Sequence, residues 1–252
     1  RVHRGALTGP LIITAATQTG AYGQRGRAWQ APRGGLWWTL AYPWESEPAS
    51  SEPAHGAEAL GLRVGWACLG TVDAALEGTG IEHGRITLKW PNDVLIDGRK
   101  ALGCLCEAVV EGKGKTPGRR WLIVGVGLNV NNDPEALSGD VRRPPTSLRR
   151  VAGREFELEN LGEALTGRVL SALAPRTRDQ WMAEITEIVS RLDGLDGPIE
   201  VRLPGGDTLS GTLTGLSDTG RLVVQTDRGR TVTPAGAEIV ASVGRNEPDR
   251  AL

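Results

Sequence analysis

The chain has 252 residues, 39% of them hydrophobic and 23% charged, with 29 lysines and arginines against 30 aspartates and glutamates and a net charge of −1. That balance excludes global disorder and belongs to a chain long enough to bury a sizeable core. It argues against a general nucleic-acid or membrane-surface binder, which would need a basic excess, and no stretch approaches the ~20 apolar residues of a membrane span.

In chain order, Leu11 to Ala16 reads as a buried strand and Gln18 to Trp29 as a Gly- and Arg-rich loop. Residues 36–42, dense in aromatic and β-branched groups, form a second strand, and residues 45–57, rich in Ser, Glu, Pro and Ala, a surface loop. Leu60 to Leu76 has helical apolar spacing and stops at Gly78 and Gly80. Ile86 to Trp90 is a strand closed by Pro91. Val94 to Ile96 and Leu102 to Val110 form a hairpin across Asp97-Gly98, a type I′ turn pair. A basic, glycine-rich turn over 111–120 leads into a strand from Trp121 to Val130 and a loop over 131–145. Residues 157–192 step by three and four and predict two helices broken at Pro175. Beyond Gly194 the chain turns to short alternating strands, including Ile199 to Leu203, Thr208 to Leu216, Arg221 to Thr226 and Arg230 to Thr233, a five-strand pattern typical of a small β-barrel. The expected architecture is a mixed α/β (α+β) domain over residues 1–193 and a small β domain over 197–243.

Three segments could carry chemistry. The glycines of the loop from Gly20 to Trp29 allow a ligand to approach the backbone, its arginines could hold an anion, and Trp29 could stack on a base; a solvated turn has the same composition. Leu88-Lys-Trp-Pro-Asn-Asp93 keeps a lysine at a strand end in a chain with four lysines against 25 arginines. A compact point charge there could offset negative charge developing at phosphorus, or could simply snorkel to solvent, while Asn92-Asp93 could merely turn the chain. Gly125-Val-Gly-Leu-Asn129 offers close approach and a polar strand end, without the spacing of a dinucleotide fingerprint. The histidines, His3, His55 and His83, fall in loop or terminal contexts, which disfavours histidine acid–base catalysis. Cys68, Cys104 and Cys106 read as small core residues of a protein in the reducing cytoplasm, with no set to bind a metal.

Taken in order, Gln18, the Gly23–Trp29 loop, Gly34-Gly-Leu-Trp-Trp38, Lys89-Trp-Pro-Asn-Asp93, Arg99-Lys-Ala-Leu-Gly-Cys-Leu-Cys-Glu107 and Gly125-Val-Gly-Leu-Asn129 resemble the biotin protein ligase family. The likeness runs from about residue 11 to the end, since that family also ends in a small SH3-like β-barrel, and Pro145-Thr-Ser-Leu148 fits it too. The resemblance implies that biotin and ATP, with Mg²⁺, give biotinyl-5′-AMP. A lysine of a biotin carboxyl carrier protein, that of acetyl-CoA carboxylase or a similar domain, would then take the biotin as an amide. It implies Lys89 between the biotin carboxyl and the α-phosphate, and Gln18, Gln24, Trp37, Gly103 and Leu105 around biotin. Gly23, Arg25, Arg27, Trp29, Asn92 and Asn129 would lie on the nucleotide, with Arg25 and Arg27 contacting phosphate or shaping the loop. The loop would order over the adenylate. Two features depart from the pattern: Tyr22 and Gln24 stand where the family has arginines, the second of which helps clamp biotin, and no Ser-Thr-Asn segment precedes Leu11. Ten residues before the first strand leave no room for the DNA-binding domain of the family's repressors, so no operator binding is expected; monomer and edge-to-edge homodimer both remain open. The rivals are a lipoate-type acyl ligase and a non-catalytic homologue that binds biotin or nucleotide without joining them.

Overall fold

The computed structural model describes residues 7–44, 57–111, 118–134 and 143–242. The expected loop over 45–57, apart from Ala57 where the first helix begins, most of the 111–120 turn, part of the 131–145 loop, His3 and His55 lie outside the described residues.

The first layer is a six-stranded sheet in the order β1-β2-β6-β5-β4-β3. It is built from β1 (Leu11–Ala15), β2 (Leu36–Pro43), β3 (Ile86–Lys89), β4 (Asp93–Ile96), β5 (Arg99–Val110) and β6 (Arg120–Leu128), and every neighbouring pair is antiparallel. The β4–β5 hairpin turns at Asp97 (φ 50°) and Gly98 (φ 70°), the two left-handed positions that a type I′ turn demands. Val94 faces Leu102 but Leu95 faces Lys100, so Ala101 is an extra residue, a bulge in β5. β1 departs from the expected buried strand. It lies at the sheet edge, and Ile12 and Ile13 are 42% and 52% exposed. Apolar character in a five-residue run records strand propensity, but a strand covered on one flank alone leaves much of that surface open.

Helices cover one face. α1 (Ala57–Ala75) is apolar around most of its girth because it lies between the sheet and α3 (Leu158–Leu173). Leu36, Trp38 and Leu40 of β2, Leu102 and Cys104 of β5 and Leu122, Val124, Val126 and Leu128 of β6 pack beneath these helices with Leu62, Cys68, Leu69, Leu165 and Val169. Burying each large side chain of this set contributes roughly 1.5–3 kcal/mol. Gly65 lets α1 close on the Lys89–Asp93 segment, since a Cβ there would stand 2.7 Å from the Pro91 carbonyl oxygen. α2 (Leu148–Ala152) is a short helix the periodicity did not signal. α4 (Arg178–Ser190) follows the break at Pro175 and starts at a capping box between Thr177 and Gln180.

The second sheet has the order β10-β9-β8-β7-β11 and is formed by β7 (Pro198–Arg202), β8 (Thr208–Leu216), β9 (Leu222–Thr226), β10 (Gly229–Val232) and β11 (Glu238–Ser242). It is the expected five-stranded element; among the described residues no strand pairing closes β10 onto β11. Its apolar residues Ile199, Val201, Leu213, Leu222, Val224 and Ile239 join the same core as the first sheet. The β8–β9 turn docks through two indoles: Trp90 donates Nε1–H to the Gly220 carbonyl at 2.8 Å and Trp181 to that of Asp218 at 2.6 Å. Among the described residues no helix is long and apolar enough to cross a membrane.

Candidate active site

Strand alternation sends every second residue to the face away from α1, and the register lines several of them up. Lys89 lies opposite Asp93, Asp93 opposite Gly103, Gly103 opposite Gly127, Gly127 opposite Trp37, and Trp37 opposite Ala15. One row thus crosses all six strands, with a lysine at one end and an indole toward the other. The next row on this face runs Leu105, Gly125, Thr39, Ile13. Of the residues singled out in the sequence, Lys89, Trp37, Gly103 and Leu105 therefore share one face, and the strand glycines form its floor.

Two of the floor glycines have other side chains directly above them. A Cβ on Gly127 would stand 2.7 Å from Nε1 of Trp29, so the loop's tryptophan rests on that strand. A Cβ on Gly103 would stand 3.2 Å from Nζ of Lys100 and 3.3 Å from Oδ1 of Asp93. Above Gly125 nothing lies within 4 Å, and the floor there is open. Trp37 itself is buried, its Nε1–H held by the Pro32 carbonyl at 2.8 Å.

The electrostatics centre on two lysines. Burial lowers the pKa of the Lys89 ammonium from the ordinary lysine range; Asp93 pulls it back up, while Lys100 and Arg143 push it further down. Lys100 pairs with Asp93 at 2.7 Å and stands 5.0 Å from the centroid of the Trp29 ring, a cation–π contact. Arg143 is held by Asp193 at 2.9 Å and by Ser242 Oγ at 2.8 Å. Lys89, Lys100 and Arg143 thus concentrate positive charge beside a glycine floor, with Asp93 and Asp193 as their partners. Lys100 and Arg143 were missed in the sequence. The scarcity of lysine that drew attention to Lys89 also marks Lys100; for Arg143 the sequence carries no comparable signal.

The other candidates are placed more variously. Asn92 is buried, and its amide nitrogen donates to the Cys104 carbonyl while Cys104 N–H donates to the Asn92 carbonyl at 3.0 Å, so its side chain pins the Lys89–Asp93 turn to β5. Asn129 is also buried; its Oδ1 accepts from Asn132 at 3.0 Å and its carbonyl from Leu148 N–H at 3.1 Å, which seats α2 at the end of β6. Gln18 and Gln24 are exposed, and Gln18 joins Ala31 through its backbone. The loop folds on itself: Gly23 N–H donates to the Arg27 carbonyl at 2.8 Å and Trp29 N–H to that of Ala21 at 2.9 Å. Both Arg25 and Arg27 engage Glu238 of β11, Arg27 at 2.6 Å. Cys68 and Cys104 are core residues, as read, and Cys106 is half-buried. A hydrogen bond with Cys68 and burial push the Cys104 thiol well up, and burial does the same for Cys106, so neither offers a thiolate.

Such a face defines the class of protein: an antiparallel sheet covered by helices on one side, with a lysine-lined glycine trough on the other and a small β sheet appended. The chain belongs to the Biotin/lipoate A/B protein ligase family, whose profile matches residues 3–129, and residues 195–241 match the Biotin protein ligase C terminal domain. It is 30% identical over 239 residues to the biotin--[acetyl-CoA-carboxylase] ligase of Paracoccus denitrificans, covering 91% of this chain and 90% of that protein. It is 28% identical to the corresponding Mycobacterium tuberculosis ligase, over 95% of this chain and 82% of that protein. The fold is similar to that of the Aquifex aeolicus biotin protein ligase solved with biotin and ATP, with a TM-score of 0.72 at 24% identity over 92% of this chain and 89% of that one.

Proposed function

We propose that the protein activates biotin with ATP to biotinyl-5′-AMP and passes the biotin to a lysine of a biotin carboxyl carrier domain such as that of acetyl-CoA carboxylase. The observation that carries this reading is the row Lys89-Asp93-Gly103-Gly127-Trp37, which sets a partly buried ammonium beside a glycine floor that is open above the neighbouring Gly125. Adenylation must bring a carboxylate against a polyphosphate, two anions whose repulsion grows as water is excluded. Fixed cations offset that repulsion and hold the reactants in line. Lys89 takes the position between the carboxylate and the α-phosphorus. The biotin carboxylate oxygen forms its bond to phosphorus as the bond to pyrophosphate breaks. In the second step the carrier's amine attacks the acyl carbon, AMP leaves, and the amine gives up a proton. Lys100 and Trp29 would flank the nucleotide, Trp37 and Leu105 the biotin. The resemblance to curated biotin ligases over nine-tenths of the chain supports the substrate, and the match to a biotin ligase C-terminal domain favours biotin over lipoate.

ATP brings a magnesium ion with it. Among the described residues no group of three or more His, Cys, Asp or Glu is placed to hold a metal. Magnesium needs few protein ligands when phosphates supply the rest, and Asp93 is the acid of the row, so the donor set fits an ion carried by the nucleotide and not a resident one.

The test is incubation of the purified chain with ATP, labelled biotin and an apo carrier domain. Labelled carrier and stoichiometric pyrophosphate are expected. A second reading, weakened retention of the adenylate, rests on Gln24, exposed and uncharged where the family has an arginine; it is expressed as pyrophosphate released in excess of carrier labelled. Biotin bound with neither product would overturn the ligase reading.

A further inference from the structure

The tip of the Gly-rich loop is held from an unexpected quarter. Glu238, at the start of β11 in the second sheet, accepts from Nη1 of Arg25 and, at 2.6 Å, from Nη2 of Arg27, while Arg202 of β7 stands 3.7 Å away. Arg25 Nη2 also donates to the Gly236 carbonyl at 3.0 Å. The Glu238 side chain is only 12% exposed, against 48% for Arg25 and 51% for Arg27. Arg25 adopts φ 59°, a left-handed conformation that a residue with a Cβ holds only when its surroundings fix it. The loop is thus anchored at two points. Trp29 at its base lies on Gly127, beside Lys100 and the row that ends in Lys89, and its tip lies on the second sheet.

We infer that Glu238 is a positioning residue for adenylation: by gripping Arg25 and Arg27 it fixes the loop in the arrangement that binds the nucleotide, and so couples the second sheet to the affinity for ATP. The inference rests on the ligase reading above. Loss of the grip frees the tip, and nucleotide binding must then order it at the expense of affinity. Biotin alone, bound toward Trp37 and Leu105, needs the tip less.

Two measurements on the intact protein test this, one of them independent of turnover. Trypsin cuts after arginine, so the rate of cleavage after Arg25 and Arg27, followed by mass spectrometry, reads docking of the tip directly. Glu238→Gln, isosteric and uncharged, is expected to speed that cleavage about tenfold. In biotin-dependent pyrophosphate release it is expected to raise KM for ATP about tenfold with kcat and KM for biotin within about twofold. Glu238→Asp, which retains the charge, is expected to recover part of both effects. A merely structural role would lower the thermal midpoint and depress all the kinetic parameters together. Faster cleavage with an unchanged KM for ATP, or unchanged cleavage, would overturn the inference. If wild-type protein released no pyrophosphate while the variant still changed cleavage, the ligase reading would fail, and the role in adenylation with it, while the docking itself would stand.

Discussion

The two faces of the six-stranded sheet come from the same strands, one residue out of step. On the helix-covered face Trp38, Val124, Val126, Leu102 and Cys104 fill the space under α1 and α3. On the other, Trp37, Gly125, Gly127, Gly103 and Asp93 leave a floor on which loop, indole and ammonium groups assemble. The first face gains from side-chain volume and the second from its absence. The two faces should therefore respond to opposite kinds of substitution.

The largest effect should come from Lys89→Met, which removes the desolvated ammonium. Biotin-dependent pyrophosphate release is expected to fall by about 10²–10³-fold, while thermal unfolding rises by about 2 °C, since a charged group held in a poor dielectric is gone. The sign has a pH counterpart. The native pKa of Lys89 is lowered, so the unfolded chain binds that proton more tightly. The ammonium costs stability at pH below its native pKa, and the cost fades as pH rises through that value toward the ordinary lysine range. Denaturant titrations across the alkaline range should show that gain in wild type and lack it in Lys89→Met. A wild-type pH profile identical to the variant's would mean that Lys89 is well solvated.

Trp38→Ala on the closed face should cost about 3–5 kcal/mol of stability in denaturant unfolding, because the ring is buried against α3, where its Nε1–H meets Thr166 Oγ1 at 3.1 Å. Its opposite number is Gly127→Ala. The new methyl would meet the Trp29 ring, so KM for ATP should rise about tenfold while stability changes by no more than about 1 kcal/mol. Gly125→Ala should show the smallest change in the folded protein: its Cβ meets open space, and replacing a strand glycine should stabilise by about 0.5 kcal/mol. Its activity then reports whether ligand lies on that floor, and an unchanged KM for both substrates would place the ligand elsewhere.

Much of this was legible in the sequence, for local reasons. The Asp97-Gly98 turn, the break at Pro175 and the alternation after Gly194 are written in neighbouring residues, and the structure has each of them. The ordered motifs placed Lys89, Trp37, Gly103 and Leu105, which the register brings to one face. What escaped depends on partners distant in the chain. The exposure of Ile12 and Ile13 follows from the position of β1 at the edge, and strand order is not a local property. Glu238 lies 213 residues from Arg25, and no spacing rule links them. Asn92 lies in the turn its sequence suggests, but that its amide also holds the Cys104 carbonyl is visible only once β5 is in place.

The bulge at Ala101 has a consequence for parity. With Ile96 opposite Arg99 across a two-residue turn, an uninterrupted ladder would bring Asp93 opposite Leu102, a core residue that points to the helices. The single extra residue moves the pairing to Gly103 and puts carboxylate, lysine and glycine on the same side. Deleting Ala101 would leave every candidate site side chain in the chain and yet strand Asp93 and Lys89 out of phase with the trough. One unpaired alanine keeps the edge hairpin and the middle of the sheet in phase.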